Sequence, residues 1–181
     1  MSLNTPSADL HRTRVGLLTF YAFHEGRNHR PLKPDLVRNA APETVALALR
    51  GSGMAEGNFT LTVTVFGLER DGELILFDVG FGPGGPGCTG LLTQGLAAAG
   101  FGVHDVTDIV ITHFHGDHIL GLTGPRRGLA FPQARIHVPE PEWNFWMSGA
   151  QEATAPDRIR HAFPQARRVF DAAGPQVSRF G

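Results

Sequence analysis

The stretch Ile109-Val110-Ile111-Thr112-His113-Phe114-His115-Gly116-Asp117-His118 constrains this chain more than any other. Three β-branched apolar residues in a row read as a buried strand. Directly behind them, three histidines and one aspartate fall within six positions. In extended backbone, residues two apart share a side, so His113 and His115 point the same way. Asp117 and His118 then require the chain to turn, and Gly116 permits a turn. The outcome is two donor pairs at a strand end, aimed into neighbouring volumes. Imidazole nitrogen combined with carboxylate oxygen suits zinc, iron, manganese or nickel better than calcium or magnesium. A single histidine near a strand end is usually a surface group or a satisfied core group. Four donors packed behind a buried strand are not explained that way.

The His-x-His-x-Asp-His spacing behind an apolar strand resembles the signature of the metallo-β-lactamase superfamily. More of the chain agrees. Leu74-Ile75-Leu76-Phe77-Asp78-Val79-Gly80-Phe81-Gly82 is similar to the strand and Asp-x-Gly turn that precede that motif, and Gly121-Leu122 follows it as in many members. Ala134-Arg135-Ile136-His137-Val138-Pro139-Glu140-Pro141-Glu142-Trp143 resembles the branch of quorum-quenching lactonases and methyl-parathion-hydrolase-like enzymes, and His24-Glu25-Gly26 fits it loosely. The likeness runs from about Val15 onward.

This resemblance implies a layered αββα fold of the α/β class and a hydrolase using two divalent transition metals. Zinc is the first expectation, with iron, manganese, nickel or cobalt as alternatives. His113 and His115 would serve one metal, and Asp117 and His118 the other. Asp117 would also be catalytic, near the water and leaving group. A metal-activated hydroxide would open a lactone or other ester, or a phosphotriester. Asp78 would support the metal loop by hydrogen bonding, or simply end its strand.

The departure matters equally. Complete members repeat the ββα unit and carry three more ligands. Here the only histidines after His118 are His137 and His161, and neither sits in a Gly-His-Thr-like loop. Asp157 and Asp171 fall in helical context. The expectation is therefore the N-terminal ββα half alone: a disordered lead-in at 1–13, then a C-terminally truncated domain at 14–181 with an incomplete site. The second half could instead come from another chain or copy. The alternative function is a non-catalytic interaction domain with a vestigial or weak metal site.

Length and composition bound the rest. A chain of 181 residues with 41% apolar content fits one domain with a core. A formal charge of -1 supplies no net basic balance for phosphates, which weakens the nuclease branches of the same superfamily. Arg126-Arg127 and Arg167-Arg168 read as solvated pairs. Cys88 is the single cysteine and excludes an internal disulfide framework. Residues 1–14 lack the apolar core of a signal peptide, and the run 15–20 is too short to span a membrane. The expectation is a cytoplasmic protein with a small-molecule substrate and no nucleic-acid or membrane partner. A homo-oligomer or a complementing second half would be its protein partner.

Local patterns predict strands at 15–23, 59–68, 73–79, 108–112 and 135–138, with Asp71-Gly72 as a hairpin turn. Residues 24–34 read as a loop because of Pro31 and Pro34. Helices are expected at 42–50, after a Thr89 cap, from Pro141 to Met147, after Thr154, and at 165–173. Trp143, Trp146 and Met147 share a helix face that reads as core. Gly80-Phe81-Gly82-Pro83-Gly84-Gly85 nominally matches a dinucleotide fingerprint. Pro83 and Pro86 remove N–H groups that pyrophosphate would need, so the loop more naturally turns the chain or borders the metal pocket. No Gly-x-Ser-x-Gly elbow supports a serine hydrolase.

Overall fold

The strand preceding the histidine motif lies at the heart of one mixed sheet. A computed structural model describes residues 10–33, 36–54, 57–124 and 128–181. Among them, seven strands pair in simple sequence order, β1-β2-β3-β4-β5-β6-β7. β1 (Leu10–Val15) and β2 (Leu18–Pro31) form a hairpin, and β3 (Asn58–Arg70) pairs with β2 along nearly its whole length. Asp71 and Gly72, both at positive φ, close the second hairpin into β4 (Glu73–Phe77). From there the pairing is parallel, through β5 (Val106–Val110), β6 (Arg135–Pro139) and β7 (Val177–Phe180).

Parallel neighbours need crossovers, and these supply all the helices but the first. α1 (Pro42–Gly51) lies between β2 and β3, with Pro42 at its start. α2 (Leu92–Ala98) links β4 to β5, and α3 (Gly116–Ile119) follows β5 directly. α4 (Glu140–Trp146), α5 (Gly149–Thr154), α6 (Asp157–Arg160) and α7 (Ala162–Ala173) connect β6 to β7. The core lies between sheet and helices. Phe23, Leu74, Leu76, Ile109, Ile136 and Val138 from the strands meet Leu96, Phe163 and Phe170 from the helices. Burying each such side chain contributes roughly 1.5–3 kcal/mol.

The other face of the sheet carries a second apolar row. Ala22, Phe66, Phe77, Val110 and His137 are successive register partners across β2 to β6, and all are at least partly exposed. Phe66 is 56% exposed. His137 there hydrogen-bonds Asp108 through Nε2 at 2.7 Å, so it belongs to this face and not to the metal loop.

Four expectations differ in detail. β1 includes Leu10 to Thr13, the end of the expected lead-in, while residues 1–9 lie outside the described ones. β2 continues to Pro31 where a loop was expected, because a bulge between His24 and Gly26 absorbs the polar segment. Thr89 does not cap α2. Its hydroxyl donates to the Pro86 carbonyl instead. β7 was not foreseen, because Gly174-Pro175 reads as a stop. The pair Arg126-Arg127 lies outside the described residues.

Candidate metal centre

β5 ends at Val110, and Ile111 still bonds to the β6 backbone through its N–H at 2.9 Å. The chain then leaves the sheet. His115 keeps extended backbone (φ -70, ψ 154), and Gly116 opens the single helical turn of α3. That turn places Asp117 and His118 behind His113 and His115. Gly116 acts here as the first residue of a short helix, closely packed by the Leu120 side chain, and not through a positive φ. The three imidazoles gather tightly: the His113 ring centroid lies 3.8 Å from that of His118 and 4.7 Å from that of His115.

Asp78 ties the motif together. It sits at φ 62, a left-handed conformation that aspartate tolerates better than most residues. Its Oδ1 accepts from the Thr112 N–H at 2.8 Å. Its Oδ2 accepts from the Thr112 hydroxyl at 2.8 Å and lies 2.8 Å from His118 Nδ1. With the hydroxyl proton committed to Asp78, Thr112 Oγ1 accepts from His113 Nδ1–H at 3.0 Å. Both histidines then carry their proton on Nδ1 and present Nε2. Burial lowers the His113 pKa, and the neighbouring His118 and His115 add to the effect, so a neutral ligand ring is favoured. Burial would also lower His118, but the Asp78 carboxylate outweighs it and raises the pKa. A carboxylate holding the far nitrogen of an imidazole is the usual support of a metal-ligating histidine.

The donor set fits divalent transition metals in kind. His118 Nε2 and Asp117 Oδ2 are 3.6 Å apart. Two ligands at about 2.1 Å from one ion subtend roughly 120° at that spacing, close to tetrahedral geometry. Among the described residues, however, no three His, Cys, Asp or Glu donors face one point. Beside the motif a cavity of about 240 Å³ is lined by residues 61–65 of β3 together with Asp78, Asp117 and His118.

Two carboxyl groups missed in the sequence, Glu142 partly buried and Glu25 fully buried, hold the loop from either side. Glu142 Oε2 accepts from the Phe114 N–H at 2.8 Å and from the Trp146 indole N–H at 2.9 Å. Trp146 is indeed core, and its ring also stands edge-on to His115 at 6.0 Å. The i, i+4 spacing of Glu142 and Trp146 was the available signal. Glu25 is fully buried. Its Oε1 accepts from the N–H groups of Gly82 (3.1 Å) and Gly90 (2.7 Å), and its Oε2 has no partner. No local pattern announced it. The Gly/Pro loop it organises is stitched to the metal loop: Val79 N–H donates to the His118 carbonyl, and Gly121 N–H to Gly80, both at 3.0 Å. A Cβ on Gly121 would sit 2.1 Å from the Val79 carbonyl oxygen, so only glycine allows this approach.

The sequence profile of the Metallo-beta-lactamase superfamily matches residues 59–178. Among curated relatives, a ribonuclease Z of Thermobifida fusca is 37% identical over 84 residues, which is 44% of this chain and 23% of that protein. A ribonuclease Z of Streptomyces coelicolor is 46% identical over 57 residues, 32% of this chain and 16% of the other. Among solved structures, AidC, a dizinc quorum-quenching lactonase in complex with a product, superposes with a TM-score of 0.87 at 23% identity. AbOPH, a hydrolase of the beta lactamase superfamily, gives 0.83 at 21%. Each of these two matches covers 98% of this chain and 63% of the other. At such identity they share the fold alone, and this chain spans under two thirds of their length. The sequence-level likeness to ribonucleases weighs, though only weakly, against the expectation of no nucleic-acid partner, so the nuclease branches stay open. The matched profile, the strand-end motif and the shared architecture together make this chain a member of the metallo-beta-lactamase superfamily.

Proposed function

We propose that this chain carries the metal-binding half of a metal-dependent hydrolase. His113 and His115 would hold one divalent ion, and Asp117 and His118 a second, with zinc first among the metals. The observation that carries this reading is the chain of contacts from Asp78 through His118 Nδ1 to a free Nε2 beside Asp117. Bound metals would bring the pKa of a water towards about 7 and polarise the substrate oxygen. The residues of the chain do the rest. Asp78 and Thr112 hold two imidazoles in the ligating tautomer, and Glu142 and Trp146 brace the loop from behind. Asp117 Oδ1 is the atom to receive the proton of the attacking water and return it to the leaving group. The bond is an ester at a carbonyl or phosphoryl centre. Likeness in fold to AidC, a lactonase, favours a lactone, while the curated relatives, ribonucleases, favour RNA; a phosphotriester stays open beside them.

Catalytic zinc takes three protein ligands and one open position. This reading therefore requires donors beyond those that the described residues bring together, such as donors from further chain, a second copy or a separate partner. The partly exposed apolar row on the sheet is the natural seat for such a segment. The absence of any three converging donors among the described residues favours a second reading, a non-catalytic interaction domain with a weak metal site.

Elemental mass spectrometry of the desalted protein separates the two. About two transition-metal ions per chain, lost in His113→Ala and Asp117→Ala, are expected of the hydrolase. A screen of a lactone, a phosphotriester and a structured RNA then names the bond. Metal near zero would mean that the four motif residues are an incomplete half-site awaiting its further donors, and metal bound equally well by both variants would sink the reading.

A further inference from the structure

A larger cavity, of about 810 Å³, opens at the far end of the β2–β3 ribbon and is lined by Arg30, Lys33, Arg38, Arg158 and Phe59. These cations come from β2, the segment after it, and α6, so only the fold assembles them. No carboxylate lines the cavity among the described residues, and none of the four cations pairs with a described carboxylate. Four like charges around one concavity repel one another and create a positive potential that an anion relieves. One of them is aimed in advance. Asn28 is only 4% exposed and, with its amide oriented to satisfy its neighbours, accepts from Arg30 Nε at 2.8 Å and Nη2 at 3.1 Å. Those two bonds hold the guanidinium and leave Nη1 without a described hydrogen-bond partner. Three arginines favour planar oxyanions, which guanidinium groups bind in pairs of hydrogen bonds.

The strand β3 joins this cavity to the metal loop. Phe59 lines the basic cavity, and residues 61–65 line the smaller cavity with Asp117 and His118. At about 3.3 Å per residue, the two lie roughly 7–20 Å apart along one strand. We infer that the basic cavity binds a phosphate-type oxyanion of the molecule cleaved at the metal loop, so the substrate carries negative charge beyond its scissile bond. Its part as a substrate subsite rests on the hydrolase reading. The anion site itself does not.

The test is calorimetric titration of the metal-free full chain with inorganic pyrophosphate at low ionic strength. Saturable binding is expected. It should weaken by about tenfold or more in the Arg30→Gln/Arg38→Gln double variant and remain unchanged in His113→Ala. Arg158→Gln, on a different element, gives an independent weakening if the double variant is poorly folded by circular dichroism. No binding at millimolar pyrophosphate, equal affinity in the arginine variants, or loss only in His113→Ala would overturn the inference. A short single-stranded RNA identifies the source of the anion. Tighter binding than pyrophosphate, with a salt slope of about −0.7 per phosphate contacted that the arginine variants reduce, assigns the site to a nucleic-acid backbone. Affinity no better than pyrophosphate assigns it to a small phosphorylated substrate. Metal retained without pyrophosphate binding removes only this inference. Pyrophosphate bound, with metal held equally well by His113→Ala and Asp117→Ala, removes only the hydrolase reading.

Discussion

Glu25 should make the stability of this protein fall as pH rises from about 4.5 to about 7. The carboxyl is fully buried under the 80–90 loop, and burial pushes its pKa up to about 7 from the ordinary 4.5. The N–H groups of Gly90, Gly82 and Phe81 pull it down again, and the charge of Asp117 adds a smaller push upward. Between those two pH values the folded protein holds a proton that the unfolded chain has released. Stability is therefore complete below about 4.5 and is lost as pH climbs to about 7, the reverse of an ordinary surface carboxylate. The full shift corresponds to roughly 3 kcal/mol, of which about 2 kcal/mol falls between pH 5 and 7.

Glu25→Gln isolates the effect. The amide oxygen still accepts from Gly82 and Gly90, and its NH2 replaces the unpartnered Oε2. That NH2 adds a constant cost of about 1–3 kcal/mol, independent of pH. Urea unfolding of both proteins, metal-free, at several pH values from 5 to 8 gives two stability curves. Their difference cancels every other titrating group. It should shift in favour of the glutamine variant by about 2 kcal/mol from pH 5 to 7 and then level off. Parallel curves would refute the reasoning.

Asp78→Asn should weaken metal binding by about 10–100-fold, read by competitive chelator titration, with the far-ultraviolet circular dichroism unchanged. Glu142→Ala removes the acceptor of both the Phe114 amide and the Trp146 indole. It should cost about 2–4 kcal/mol in urea unfolding and shift the tryptophan emission; an unaltered spectrum would show that the contact is idle. Gly121→Ala forces a Cβ onto the Val79 carbonyl. It should destabilise by more than about 3 kcal/mol, and an unchanged melting temperature would contradict the close packing of the two loops.

The metal loop was legible because its geometry is local. A two-residue strand period, a helical turn and a spacing of six positions place His113, His115, Asp117 and His118 with little help from elsewhere. The Asp71-Gly72 hairpin was legible for the same reason. β2 beyond Phe23 was not, because His24-Glu25-Gly26 looks polar and loop-like until the bulge turns Glu25 inward. β7 was hidden too. Four residues after Gly174-Pro175 carry no periodicity of their own and become a strand only by pairing with β6.

By itself, then, the sequence determined the histidine and aspartate types of the loop, their spacing and the strand that delivers them, since backbone periodicity over a few residues is nearly independent of context. Tertiary structure alone decided which groups are buried and which distant charges meet. A formal charge of -1 averages over the chain and says nothing of Arg30, Lys33, Arg38 and Arg158 around one cavity. Burial and electrostatic potential depend on where segments far apart in sequence pack, and that is settled by the whole sheet and its helices together.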